Sequence, residues 1–213
     1  MIIKTHDFAE IEFTAKVKET NELFDGTNIN GKSSPLKICI GERMLLESFD
    51  KALEGKDIGK EYVLELSPEQ AFGKRDTSLV KVIPLSVFHK KGINPTPGTF
   101  YNVDGILVKA ISVSSGRIIA DFNHPLSGKT VVYSYKIKSL IDSLDEKIRV
   151  LANYLLGLKD EDYEIISEGG ANEAKKKIKI SMKENKNMEE SKIKAFAEKA
   201  KNLLQIDISV EYS

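Results

Sequence analysis

The sequence predicts an α+β fold assembled from three stretches of different texture. Near the N-terminus, FAEIEFTAKVK alternates apolar and polar residues, the mark of a half-buried strand. From about Val82 to Gly128 the chain breaks into short β-branched runs separated by turns. Beyond Asp142 helical spacing takes over and is interleaved with strand-like segments.

Each element follows in order. Ile11, Phe13, Ala15 and Val17 fall on one face of the first strand. ELFDG supplies a strand end and a turn, and PLKICI reads as a second short strand closed by Gly41. Leu45, Leu46, Phe49 and Leu53 share one helical face, with Gly55 and Gly59 ending that region. YVLELSP is a strand stopped by Pro68. In the middle stretch NVDG and SSGR are hairpin-like. The polar cluster around Asn123, His124, Pro125, Ser127 and Gly128 reads as a turn before the long strand Val131–Leu140. Leu144, Ile148, Leu151, Leu155 and Leu158 keep helical spacing, as do Ile193, Phe196, Ala200, Leu203 and Leu204. YEIIS, KIKISM and IDISVEYS read as strands around that second helix.

The totals exclude several function classes. Thirty-two basic and 32 acidic residues cancel, so no global field draws the chain to nucleic acid or an anionic membrane. The Lys-rich KKKIKISMKENK reads as a solvated strand rather than a nucleic-acid patch, because acidic residues flank it. One cysteine, Cys39, excludes an internal disulfide and fits a reducing, cytoplasmic compartment. No apolar run reaches the roughly 20 residues of a membrane helix, and the charged N-terminus does not read as a signal peptide. There is no phosphate loop, paired-His metal motif or nucleophile elbow, so no cofactor and no metal are expected.

Several stretches together resemble the FKBP-type peptidyl-prolyl isomerases. They are IEFTAKVKETNELFDGT, then PLKICIGERMLLESFDKALEGKDIGKEYVLELSPEQAFG, then FNHPLSGKTVVYSYKIKSL. The likeness covers about residues 3–140 and is narrower to the SlyD-like branch, whose flap carries an inserted chaperone domain; the extra C-terminal segment resembles the long archaeal type. The resemblance implies an antiparallel half-barrel wrapped on a short helix (1–81 and 129–141), an inserted all-β domain (82–128) and a C-terminal α+β domain (142–213).

The resemblance also implies a site. Phe13 matches a wall aromatic that is usually Tyr, and Phe24 and Asp25 match the Phe and Asp of the FDG turn. Leu45 and Leu46 match an aliphatic pair before the helix, the second offering a backbone N–H to a substrate carbonyl. Phe49 matches the pocket floor, Phe72 an aromatic that is often Tyr, and Tyr133 the aromatic of the returning strand. Leu36 stands where many relatives have an aromatic wall. With the hydroxyls absent at Phe13 and Phe72, the implied pocket is more purely apolar than in single-domain relatives. Asp25 has two readings: electrostatic tuning of a twisted carbonyl, or a simple turn cap. His124 is expected to be a turn or packing residue that donates a hydrogen bond.

The implied activity is X–Pro isomerisation joined to capture of unfolded, proline-containing polypeptides. VIPLSVF, FYNVDGILVKAISV and RIIADF are expected to offer strand edges and apolar surface for that capture. The alternative is a holdase or assembly adaptor with weak or vestigial isomerase activity, and a weaker third reading is docking near nascent chains at the ribosome. The C-terminal segment, small and with apolar helix faces, is expected to make a homodimer.

Overall fold

The computed structural model describes residues 1–29, 32–168, 177–182 and 188–212. Its strands are β1 (Phe8–Val17), β2 (Leu23–Gly26), β3 (Asn28–Ile29), β4 (Lys32–Ser33), β5 (Leu36–Cys39), β6 (Glu61–Leu66), β7 (Val80–Pro84), β8 (Phe100–Val103), β9 (Ile106–Ser114), β10 (Arg117–Asp121), β11 (Val131–Leu140), β12 (Tyr163–Glu168), β13 (Lys177–Met182) and β14 (Asp207–Tyr212). The helices are α1 (Glu47–Leu53), α2 (Ser86–His89), α3 (Leu144–Leu156) and α4 (Glu190–Leu204). The α+β class read from the sequence holds.

Four sheets form. The largest has the order β2-β1-β11-β6, with β5 paired to β1; β5 runs antiparallel, Ile11 opposite Leu36 and Phe8 opposite Cys39. The predicted alternation of β1 is realised, with Ile11, Phe13, Ala15 and Val17 all buried. The middle stretch makes the sheet β7-β10-β9-β8, the C-terminal stretch makes β12-β13-β14, and β3 pairs with β4. By contacts the chain divides into two compact units, one of residues 1–14, 25–64 and 134–213, the other of residues 15–24 and 65–133.

In the first unit, α3 and α4 share a core with the early strands. Ile148, Leu151, Ala152, Phe196 and Ala200 are buried in one cluster with Phe8 and Cys39. The helix α3 starts on Ser143, whose side chain accepts from the Glu146 N–H, and stops at Gly157 in the left-handed region. The strand β13 lies antiparallel to β12 and parallel to β14, with α4 as the crossover between the parallel pair. KKKIKISMKENK lies partly outside the described residues. Burial pushes the Cys39 thiol up to about 12, with Glu42 adding to it.

In the second unit, the small sheet closes over Phe88, Val108, Ala110, Ile118 and Ala120. One expectation about its edges is corrected: RIIADF offers no free edge, because β10 lies between β7 and β9. VIPLSVF supplies an edge through β7, which ends at Pro84; the chain then turns into α2, and Phe88 is fully buried. Among the described residues the edge strands of this sheet are β7 and β8. A bulge at Ile119/Ala120 disturbs the β10–β9 register, and Ile111, Ile119, Val82, Phe100 and Leu107 remain exposed on this sheet.

Phe88 is the largest side chain in that small core. Phe88→Ala is expected to cost about 3–5 kcal/mol locally. Hydrogen exchange should show it as lost protection at Val108, Ala110, Ile118 and Ala120.

Candidate active site

The structure distributes the eight expected residues over the two units. The first unit holds Phe13, Asp25, Leu45, Leu46 and Phe49; the second holds Phe24, Phe72 and Tyr133.

In the first unit, Phe13 projects from β1 onto Phe49 of α1, the ring centres 5.6 Å apart and nearly edge-to-face. Phe49 is 1% exposed and also meets Tyr135 at 5.2 Å, and Tyr135 stacks on Tyr62 at 5.5 Å. The O–H of Tyr135 donates to the Ala52 carbonyl, tying β11 to α1. Phe13 is fixed from behind: its N–H donates to Thr27 Oγ1 at 2.9 Å, and its carbonyl accepts from the Thr27 N–H. Gly26 allows this close approach, since a Cβ there would stand 3.0 Å from the Phe13 carbonyl oxygen. Leu45 and Leu46 are half-buried and precede α1 rather than lying within it. Leu46 is the extended N-cap, and its carbonyl accepts from the Phe49 and Asp50 N–H groups. Asp25 is exposed, and its Oδ1 accepts from the Gly26 N–H at 2.7 Å. That bond belongs to the turn-capping reading of Asp25.

The loop ahead of Leu45 is held by a residue that sequence reasoning missed. Asp50 is 3% exposed, with Oδ1 accepting from the Gly41 N–H at 3.0 Å and Oδ2 from the Arg43 N–H at 2.9 Å. Its signal was an acidic residue beside Phe49 on the face of a short helix that needs apolar cover. Thr27 and Tyr135 were also missed; each looks like an ordinary strand residue until its partner is known.

In the second unit, Phe24 meets Phe72 at 5.8 Å and Tyr133 at 6.2 Å, both edge-to-face. Phe72 lies flat against His124, with centres 4.9 Å apart and planes within 3°. His124 therefore packs as expected, but its Nδ1 accepts from the Leu126 N–H where donation was expected. The turn carrying His124 is stapled to the loop after Phe72. Ser127 Oγ donates to the Phe72 carbonyl, and the Gly128 N–H donates to the Gly73 carbonyl. The Asn123 side chain accepts from the Asp76 N–H and donates to the Asp76 carbonyl, both at 2.8 Å. Arg75 pairs with Asp121 through Nε and Nη2 at 3.1 and 2.6 Å. A cleft of about 860 Å³ opens beside this staple, lined by Phe24, Phe100, Lys109, Ile111, His124 and Leu126 among others.

Among the described residues no cluster of His, Cys, Asp and Glu could hold a metal, and no helix is long and apolar enough to cross a membrane. What the two groups offer chemically is aromatic and aliphatic surface with ordered backbone polar groups.

Comparison with known proteins adds the following. A family model for the FKBP-type peptidyl-prolyl cis-trans isomerase matches residues 2–89, and one for the FKBP26 IF domain matches residues 81–126. The chain is 31% identical over 106 residues to a short-type peptidyl-prolyl cis-trans isomerase of Methanocaldococcus jannaschii, covering 50% of this chain and 68% of that protein. It is 32% identical over 142 residues to the FKBP-type isomerase SlyD of Aeromonas hydrophila, covering 65% of this chain and 64% of that one. An FKBP-type 16 kDa isomerase of Escherichia coli is 26% identical over 148 residues, 67% of this chain and 97% of that protein.

Burial pushes the Asp121 carboxyl up, but the bonds from Arg75 and Asn123 outweigh it and hold the carboxyl below its ordinary value of 3.8. The staple's stabilisation is therefore present above that ordinary value and is lost as pH falls through the lower folded value. Because Arg75 is half exposed, Arg75→Met is expected to lower unfolding stability at pH 7 by about 1–2 kcal/mol. The gap from wild type should narrow in acid once Asp121 is protonated in both states, as denaturant titrations at a series of pH values would show.

Proposed function

The chain belongs to the FKBP-type peptidyl-prolyl cis-trans isomerases, and on that premise we propose that it couples capture of unfolded chains to isomerisation of their X–Pro bonds. The division of labour is 1–81 with 129–141 as isomerase, 82–128 as capture domain and 142–213 as an appended domain. Phe13, Phe24, Asp25, Leu45, Leu46, Phe49, Phe72 and Tyr133 act on the prolyl bond.

The chemistry needs no nucleophile. Rotation about an X–Pro bond breaks amide resonance against a barrier of about 18–20 kcal/mol, slow enough to limit folding. The twisted transition state has lost resonance and is less dipolar than the planar amide. Apolar walls such as Phe13, Phe49, Phe24, Phe72 and Tyr133 favour the twisted form over the planar one, and only such a difference accelerates the step. The Leu46 N–H has no partner within α1 and holds the substrate carbonyl. Asp25, whose Oδ1 caps the turn at Gly26, holds the Phe24 turn in place beside the carbonyl and moves no proton.

The observation that carries the coupling is the cleft shared by Phe24 and by Phe100 and Ile111 of the inserted sheet. An extended chain lying there meets apolar groups of the capture domain and one aromatic of the isomerase site. Linked modules raise the local concentration of the prolyl bond at the second site. The free edges of β7 and β8 allow strand addition. The partners are unfolded, proline-containing polypeptides in the cytoplasm and a second copy of the chain bound through residues 142–213. A monomeric mass by light scattering at micromolar concentration would contradict that dimer.

Proline-limited refolding of an unfolded protein tests the main reading. The full chain should accelerate the slow phase. A variant with residues 82–128 replaced by a short turn should largely lose that effect while still isomerising a proline tetrapeptide. Phe49→Ala should lower kcat/KM on both substrates by tenfold or more, about 1.4 kcal/mol. Suppressed aggregation with no acceleration by the full chain would favour a holdase, the reading suited to Phe13, Phe72 and Leu36.

A further inference from the structure

The loop from Gly41 to Leu46 leads directly into the aliphatic pair of the proposed site. Side chains from two sources hold it. From the isomerase portion, Asp50 accepts from the Gly41 and Arg43 N–H groups, and His6 Nε2 lies 3.4 Å from the Glu42 carboxylate. The other grips come from the C-terminal helices. Tyr154 of α3 donates its O–H to the Arg43 carbonyl at 2.9 Å, and Lys199 of α4 pairs with Glu42.

Three features argue that these grips act on the loop. Arg43 sits at φ 55°, a left-handed conformation that a non-glycine residue keeps only when its surroundings hold it there. Its N–H is bound by Asp50 and its carbonyl by Tyr154, so the peptide groups on both sides of the turn are pinned. The Glu42 side chain is only 7% exposed, so its charge is largely removed from water and needs a partner. Tyr154, by contrast, is 49% exposed and lies outside the buried cluster of Ile148, Leu151, Phe196 and Ala200. Its hydroxyl therefore contributes little to the core of the C-terminal elements; it acts instead on the backbone three residues before Leu46.

We propose that Tyr154 and Lys199 are positioning residues for the prolyl isomerase site: the C-terminal helices fix the loop that presents Leu45 and Leu46 to substrate. This rests on the isomerase reading above and adds a role for the C-terminal segment in the chemistry. Losing the grips lets the Arg43 peptide relax, and the Leu46 N–H shifts relative to the substrate carbonyl. Small misplacements of a positioning group are costly to rate.

The test uses the full chain with Tyr154→Phe, Lys199→Met, Lys199→Arg and the paired variant Glu42→Gln/Lys199→Met, which leaves no unpaired carboxylate. The readouts are kcat and KM on a proline tetrapeptide, hydrogen exchange of the Gly41–Leu46 amides, and the unfolding midpoint. Tyr154→Phe and the paired variant should each lower kcat/KM by about 2- to 10-fold, the factor of one net hydrogen bond, and speed exchange in the loop. Lys199→Arg should restore both, and the midpoint of Tyr154→Phe should hardly move. Unchanged kinetics in an active protein, or losses that merely follow the midpoint, would overturn the proposal. A wild-type chain inactive on the tetrapeptide would instead sink the isomerase reading, and with it any positioning role.

Discussion

The chain leaves the large sheet after β6 and must return to it at the neighbouring strand β11. Here that closure is made by polar groups. Asp76 and Asn123 exchange backbone and side-chain bonds, Arg75 grips Asp121, and Gly128 donates to Gly73. Gly128 adopts φ 75°, and a Cβ on it would stand 3.2 Å from the Arg75 Cβ, so the turn depends on glycine for both conformation and room.

Polar groups then do structural work around surfaces that are themselves apolar. Thr27 holds the Phe13 backbone, Asp50 holds the loop before Leu45, and Ser127 holds the Phe72 carbonyl. The expected aromatics meet one another edge-to-face within each unit, while Tyr62 and His124 stack on Tyr135 and Phe72. This arrangement suits a reaction in which no bond to the enzyme forms. What matters is a fixed shape with little water, and satisfied buried polar groups supply the rigidity. The same logic extends to the C-terminal elements, whose core takes in Phe8 and Cys39.

Much of this was legible in the sequence. The first strand declared itself by alternation, and α3 and α4 by apolar spacing with Ser143 and Gly157 marking the ends of α3. The expected site residues were reached through motif order, and Phe13, Phe49, Phe24, Phe72 and Tyr133 do occupy aromatic clusters. Other features were hidden. VIPLSVF has strand-like composition, yet the segment after Pro84 turns into a helix that buries Phe88; β propensity yields to core packing. Leu45 and Leu46 fit the helical face of Phe49 and Leu53 by spacing, but Leu46 stays extended as the N-cap. Tyr154 and Lys199 pair with residues far away in the chain, and Asp50 reaches back across an irregular turn to Gly41 and Arg43; no periodic pattern announces such pairings.

The central claim is that apolar surroundings and fixed backbone groups suffice for catalysis, with no proton transferred. The most direct measurement is kcat/KM for a proline tetrapeptide from about pH 5.5 to 9, in ordinary and in heavy water. A flat profile with a solvent isotope effect close to one is the predicted result. A bell-shaped profile with a substantial isotope effect would reveal an acid or base at work in the rate-limiting step and would contradict the account.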